Sequence, residues 1–296
     1  METGIIKLNT IADCNKYFST TTLHPLVCLI DISDTDCHAV LQSESYTVLF
    51  KEHSCLSGFG KKDCDFSDGT LAFISPGQPI NISVWTSNKN NKCLWLSFHP
   101  ALIGEMWFGE HFDAYTFFRY RQNEALHISC REKVIIGACI NGIAEELCWG
   151  VDEYSQSLLI NRIELLLNCC ARFYKRQFIT RHDADKVLIN KVHQLLEHYF
   201  LTGRGHFYGL PDAGYFSRML GTSPAYFEDL LKHETGKNVN EFVRFKRINI
   251  AREQLRRTNK SATCIAEELG FSSVQNFNKL FKRLSGYSPS EYRMIN

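Results

Sequence analysis

Residues 222–242 and 272–292 repeat one another at an offset of 50, pairing Phe227 with Phe277, Leu230 with Leu280, Lys232 with Lys282, Gly236 with Gly286, Glu241 with Glu291 and Phe242 with Tyr292. No other feature constrains the fold as strongly, because both copies must build the same small unit. Phe and Leu three residues apart share one helix face, and Gly closes the helix in a left-handed conformation that other residues resist. The next helix opens on a capping box in each copy, Asn238-Val239-Asn240-Glu241 and Ser288-Pro289-Ser290-Glu291. Pro289 adds a ring already set for the first helical position.

Upstream, each copy carries a short helix, a turn and a longer helix. These run from Ala213 to Leu220 and then from Ser223-Pro224 to about Glu234; and from Ser261 to Leu269, through Gly270, then from Ser272 or Ser273 to about Leu284. This is the helix-turn-helix pattern. One joining helix, Val239 to Arg257, lets both second helices meet successive major grooves on one face of a duplex, which repeat every ~34 Å. The outward positions are expected at Ala225, Glu228, Asp229 and Lys232 in the first unit and at Val274, Gln275, Asn278 and Lys279 in the second, with Lys282 and Arg283 beside them on the DNA-facing helix. Gln and Asn pair bidentately with adenine, Lys donates to guanine and Val touches a thymine methyl, whereas two carboxylates offer little beyond a cytosine contact. The second unit is therefore expected to dominate base reading, and Lys282 to hold phosphate. Arg244, Arg247, Arg252, Arg256 and Arg257 lie on the joining helix, which reads first as a strut with phosphate contacts from its ends.

Charge is distributed in the same sense. Residues 186–296 hold 17 Lys+Arg against 10 Asp+Glu, a surplus of seven, and residues 1–185 hold 16 against 22, a deficit of six. A basic domain suits a polyanion, although an ordinary solvated face fits the surplus equally well.

The run Cys264-Ile265-Ala266-Glu267-Glu268-Leu269-Gly270-Phe271-Ser272, with Phe277, Leu280-Phe281-Lys282-Arg283, Gly286 and Ser288-Pro289-Ser290-Glu291-Tyr292-Arg293, resembles the signature of AraC/XylS-type regulators. The resemblance covers about Val187 to Met294. It implies a seven-helix DNA-binding domain that acts on double-stranded promoter DNA, and on RNA polymerase where it activates. Residues 20–180 resemble, more weakly, the cupin-like effector and dimerisation domain of such regulators, through Gly69-Thr70-Leu71-Ala72-Phe73-Ile74-Ser75-Pro76-Gly77-Gln78 and Leu96-Ser97-Phe98-His99-Pro100. The chain departs from the family pattern at Asn278 and Lys279, where Ser and Arg are frequent, at Glu228 and Asp229, and at Ser217 and Thr222. Lysine lacks the planar fork that reads guanine bidentately.

The first 130 residues read as short strands: Tyr46, Val48 and Phe50 alternate with Thr47 and Leu49, Leu71 to Ile74 run into the turn Ser75-Pro76-Gly77-Gln78-Pro79, and Cys93 to Phe98 form a third strand. Together they suggest an antiparallel barrel or jelly roll, with Phe50, Phe73, Trp85 and Trp95 as core residues by default and as a pocket lining otherwise. From Arg131 the period becomes helical, through Ile136, Ile140, Ile143 and Leu147 and, after Gly150, through Leu159, Ile163, Leu166, Cys170 and Phe173. The second stripe has the spacing of a helix seam and is the candidate homodimer contact. Lys175 to Asp185 is the candidate linker. The expected architecture is thus α+β: a cupin-like effector-binding and dimerising barrel with a helical hairpin over 1–180, and an all-α domain with two helix-turn-helix units over 187–296.

A metal-dependent cupin enzyme fused to a DNA-binding domain is the rival reading. It needs converging imidazoles, and His24, His38, His53 and His99 are isolated, with no His-x-His pair and no spaced carboxylate. Neither a Gly-x-Ser-x-Gly elbow nor a phosphate-cradling glycine loop occurs, so no catalytic residue, metal or cofactor is expected. The 12 cysteines include no Cys-x-x-Cys pair; Cys170 reads as a core residue, and the role of its neighbour Cys169 stays open. With no signal segment and no long apolar run, the reading is a cytoplasmic protein with free thiols, outside any membrane. A plain architectural DNA binder would not need some 185 acidic, strand-rich residues; a small-molecule sensor would.

Overall fold

The computed structural model describes residues 5–35, 39–53, 59–86, 91–104 and 111–295. His38 lies outside the described residues. The chain divides into two compact units, Met1–Arg181 and His182–Asn296.

In the first unit, strands β1 (Ile5–Leu8), β2 (Val27–Asp31), β3 (Val40–Ser43), β4 (Tyr46–Glu52), β5 (Gly69–Ile74), β6 (Pro79–Asn81), β7 (Cys93–Phe98) and β8 (Leu126–Ile128) form two sheets, with short helices α1 (Ile11–Tyr17) and α2 (Ser83–Thr86) between them in sequence. One sheet is β2-β7-β4-β5-β8, antiparallel throughout; the other is β1-β3-β6, with β1 and β3 parallel. Among the described residues the pairing gives two sheets rather than one closed ring. Leu41 and Ile80 of the smaller sheet share a buried core with Leu49, Ala72, Ile74 and Trp95 of the larger. The opposite face of the larger sheet is also covered, since the Phe73 ring lies 4.3 Å from Phe117 and 6.0 Å from Tyr174. Strands β5 and β7 are consequently buried at every position. Phe50, Phe73, Trp85 and Trp95 are all core residues, at most 4 % exposed.

Helices α3 (Cys130–Trp149) and α4 (Ser155–Thr180) follow, separated by Gly150 at φ 107°. They form the expected hairpin, but its stripe does not face outward. Leu159, Ile163 and Leu166 are fully buried and Phe173 is 6 % exposed within the single chain, so this seam packs on its own unit and is not a free dimer contact. The division between the two units, Arg181/His182, falls within the segment Lys175 to Asp185 expected as a linker, but that segment is helical on both sides of it: α4 runs to Thr180 and α5 begins at His182. The cause is long-range pairing that charge-rich composition conceals. Gln177 receives the His127 amide at 2.7 Å and donates to Ala125 O at 3.0 Å, and Arg181 is buried against Asp65.

The second unit is helical: α5 (His182–Leu201), α6 (Arg204–Tyr208), α7 (Ala213–Leu220), α8 (Pro224–Thr235), α9 (Val239–Arg257), α10 (Ala262–Glu268), α11 (Val274–Ser285) and α12 (Pro289–Ile295). Counting the one-turn α6, that is eight helices among the described residues, one more than the resemblance implies. They close on one core in which Phe216 and Phe227 stack at 5.2 Å and Phe277 meets Phe281 at 5.5 Å, with Val192, Leu196, Ile248, Leu255, Ile265 and Leu269 around them.

Candidate nucleic-acid interface

Each helix of the two reading units starts on a side chain that satisfies the free N–H groups of its first turn. Asp212 accepts from Tyr215 N at 2.7 Å, Ser223 from Tyr226 N at 3.1 Å, Ser261 from Cys264 N at 3.1 Å and Ser273 from Asn276 N at 3.2 Å. Reciprocal capping boxes open α9, through Asn238 and Glu241, and α12, through Ser288 and Glu291. The Glu291 carboxyl is held below its ordinary value by its hydrogen bonds from Ser288. Gly236 and Gly286 end α8 and α11 at φ 68° and 84°.

The two helix-turn-helix turns differ. Gly221 and Gly270 share φ 72°, but around the Cβ position of Gly221 nothing among the described residues comes within 4 Å. A Cβ on Gly270 would fall 2.1 Å from Gly205 O. The second turn therefore rests backbone to backbone on α6, and only glycine fits there.

Helix α9 holds the units together. Its Arg247 is 5 % exposed, with the guanidinium 3.6 Å above the Phe271 ring. Burial, then the charge of Arg244, pushes its pKa down to about 10, so it stays a cation that the aromatic face stabilises. Arg252 donates to Leu284 O at 2.7 Å, and Arg293 to Leu255 O at 3.3 Å and to Lys260 O. Arg252 and Arg293 act as struts through these bonds to main-chain carbonyls at and just beyond helix ends, whereas Arg247 braces α9 by its stacking on Phe271. Arg244, Arg256 and Arg257 are exposed.

On α11, Phe277 and Phe281 turn inward while Gln275, Asn278, Lys279, Lys282 and Arg283 are exposed and Val274 is half-buried. On α8, Glu228 and Lys232 are exposed and Asp229 is half-buried. Ala225 does not take the outward position expected of it. At 9 % exposure it packs inward, because Pro224 occupies the first helical position and carries the exposed surface of that turn. The Pro at that position was the available signal. Ser272, expected only as a possible helix start, and Asn276, to which the sequence assigned no role, are exposed at the start of α11, with Asn276 Nδ2 donating to Ser272 Oγ at 3.0 Å.

Residues 216–294 match the family model described as a helix-turn-helix domain. Over 73 residues the chain is 33 % identical to the regulatory protein SoxS of Salmonella typhimurium, an alignment that takes in 25 % of this chain and 68 % of SoxS. The chain belongs to the AraC/XylS family of transcription regulators. Other AraC/XylS-type relatives differ in length. The uncharacterized HTH-type regulator YtdP of Bacillus subtilis is 35 % identical over 77 residues, and the chain spans only a tenth of it, 26 % of this chain against 10 % of YtdP. The HTH-type transcriptional regulator ExsA of Pseudomonas aeruginosa aligns over 277 residues at 24 % identity, 88 % of this chain and 92 % of ExsA.

Outside the AraC/XylS-type unit the histidines have local duties. His24 Nδ1 accepts from Leu26 N at 3.1 Å, His99 Nδ1 accepts from Ala101 N at 3.1 Å to cap the turn after β7, and His53 sits at φ 63°. Burial lowers the pKa of His24. Among the described residues no three His, Cys, Asp or Glu side chains converge on a point where a metal ion could bind, and no helix is long and apolar enough to cross a membrane.

Proposed function

We propose that this chain is a sequence-specific regulator of transcription that binds double-stranded promoter DNA through both helix-turn-helix units, with α11 as the principal reading helix. One observation carries the reading. Helix α11 buries Phe277 and Phe281 and turns Gln275, Asn278, Lys279, Lys282 and Arg283 to solvent, which is the mixture of amide and cationic donors that base edges and phosphates accept. On α8, Glu228 and Asp229 face the same task with carboxylates, so the first unit contributes docking more than sequence. Pro224, rather than the buried Ala225, stands at its leading edge.

The unit Met1–Arg181 is read as the sensor: a cupin-like two-sheet domain that receives a small-molecule effector and supports a homodimer through a surface other than the buried Leu159 to Phe173 stripe. The regulator acts on cytoplasmic DNA, and on RNA polymerase where it activates. It requires no cofactor and carries out no catalysis.

The test is a selection of DNA fragments bound by the full chain, followed by gel-shift titration of the recovered site at several salt concentrations. A defined site bound with affinity that falls steeply as salt rises is expected, since Lys and Arg contacts release condensed counterions. A folded chain that retains no DNA, or retains every fragment equally, would refute the reading.

A further inference from the structure

Helices α3 and α4 pack along most of their length, but between them lies an open groove of about 380 Å3, walled by Val134, Leu165 and Arg162. Two thiols from facing helices share it, Cys139 of α3 and Cys169 of α4. The two thiols interact electrostatically across the groove, and Cys139 is 9 % exposed while Cys169 is half-buried. Burial first, and the Cys169 sulfur second, raise the Cys139 pKa to about 11, so Cys139 keeps its proton at neutral pH. Cys170, the next residue, is fully buried and turned into the core. No third metal-ligating group joins the pair among the described residues, so its donor set falls short of the four ligands of a tetrahedral metal site.

We propose that Cys139 and Cys169 form an oxidation site at which a hydroperoxide converts two facing thiols into a disulfide that staples α3 to α4. Cys169, the more exposed sulfur, attacks the outer oxygen of the peroxide. The O–O bond breaks, the peroxide leaves as an alcohol or water, and Cys169 becomes a sulfenic acid. Cys139 then gives up its proton and attacks that sulfur, so that the S–S bond forms, the S–O bond breaks and the hydroxide leaves as water. Two thiols and one hydroperoxide thus yield one disulfide, one alcohol and one water. Cys14 and Cys28 also interact with each other, but Cys14 is fully enclosed and Cys28 is 4 % exposed, so both are less open to a peroxide than the groove pair.

The full chain, reduced and then exposed to stoichiometric hydrogen peroxide, is alkylated, digested without reductant and mapped by mass spectrometry. The expected product is one linked peptide pair holding Cys139 and Cys169, lighter by two hydrogens than the separate peptides. In Cys139→Ser, a dimedone adduct should collect on Cys169; in Cys169→Ser, both the link and the adduct should disappear. The wild-type map decides the matter even where a variant folds poorly. Cys139 and Cys169 recovered fully alkylated, while Cys14 and Cys28 are linked or exposed Cys148 joins two chains, would overturn the proposal.

Discussion

Arg181 and Asp65 stand 116 residues apart in the chain and are joined by two parallel hydrogen bonds, Nε to Oδ1 at 2.9 Å and Nη2 to Oδ2 at 2.6 Å, with side chains 2 % and 0 % exposed. The guanidinium also donates to Gly60 O at 3.2 Å, and Lys62 N donates to Oδ2 at 2.7 Å. Both charges are thereby paired and their remaining polar atoms engaged, the condition under which a buried ion pair is tolerated. Asp65→Ala leaves the guanidinium buried without its counter-charge and should cost the first unit about 3–5 kcal/mol, read as a drop in the urea midpoint. Burial pushes the Asp65 carboxyl up, but the hydrogen bonds and charge of Arg181 outweigh it and hold the pKa below its ordinary value. That contribution is present above the carboxylate's unfolded pKa of about 3.9 and is lost as pH falls.

His127 gives the same unit a second pH response, at milder acidity. It is fully buried, its Nε2 donates to Phe59 O at 3.2 Å and its Nδ1 receives the Thr70 hydroxyl at 3.3 Å, which is the neutral ring. Burial lowers its pKa from 6.5 to about 4. Across that window the unfolded chain binds a proton that the folded chain does not, so stability falls as pH falls, by about 3 kcal/mol in all. His127→Gln should remove this share of the pH dependence. Equal slopes for the two proteins in urea titrations between those pH values would contradict the assignment.

Base reading should be concentrated on α11. Gln275→Ala or Lys279→Ala is expected to lose about 1–3 kcal/mol of preference for particular base pairs. Lys282→Ala should weaken all sequences alike, with a salt slope shallower by about one. Glu228→Ala should leave base preference unchanged and tighten nonspecific binding by removing a charge that repels phosphate. Competition titrations against single-base operator variants separate these outcomes. A change of base preference confined to Glu228 and Asp229 variants would assign the reading to α8 instead.

Leu166 is fully enclosed by its own chain, so its substitution is a folding experiment rather than an association experiment. Leu166→Ala should destabilise the first unit by about 2–5 kcal/mol. Leu166→Glu should abolish its near-ultraviolet dichroism at any protein concentration. A well-folded Leu166→Glu monomer in sedimentation, arising from a wild-type dimer, would restore the stripe as an interface.

The features legible in the sequence are those set within a few residues. The capping boxes at Asn238 and Ser288, the turn glycines and the inward Phe277 depend on partners three or four positions away, and residue type reveals them. The Ala225 position depended instead on where the helix phase begins, which Pro224 sets. In the first unit, Thr47, Thr70 and Ser97 are fully buried, with Thr47 and Ser97 hydroxyls bonded at 2.7 Å. Strands covered on both faces have no polar face to display, so alternation located them without showing how the sheets pair. Charge-rich Lys175 to Asp185 read as a linker because the partners of Gln177 and Arg181 lie some fifty and more than a hundred residues away.

The contrast between Gly221 and Gly270 sets what each turn tolerates. At Gly221 a side chain would meet only the strain of the left-handed backbone, so Gly221→Asn should be milder than any substitution at Gly270. At Gly270 both the backbone conformation and the α6 main chain forbid any side chain, so the second turn cannot move without displacing Gly205. A side chain at the second turn would therefore have to push α6 off the core it helps to close, whereas one at the first turn would not.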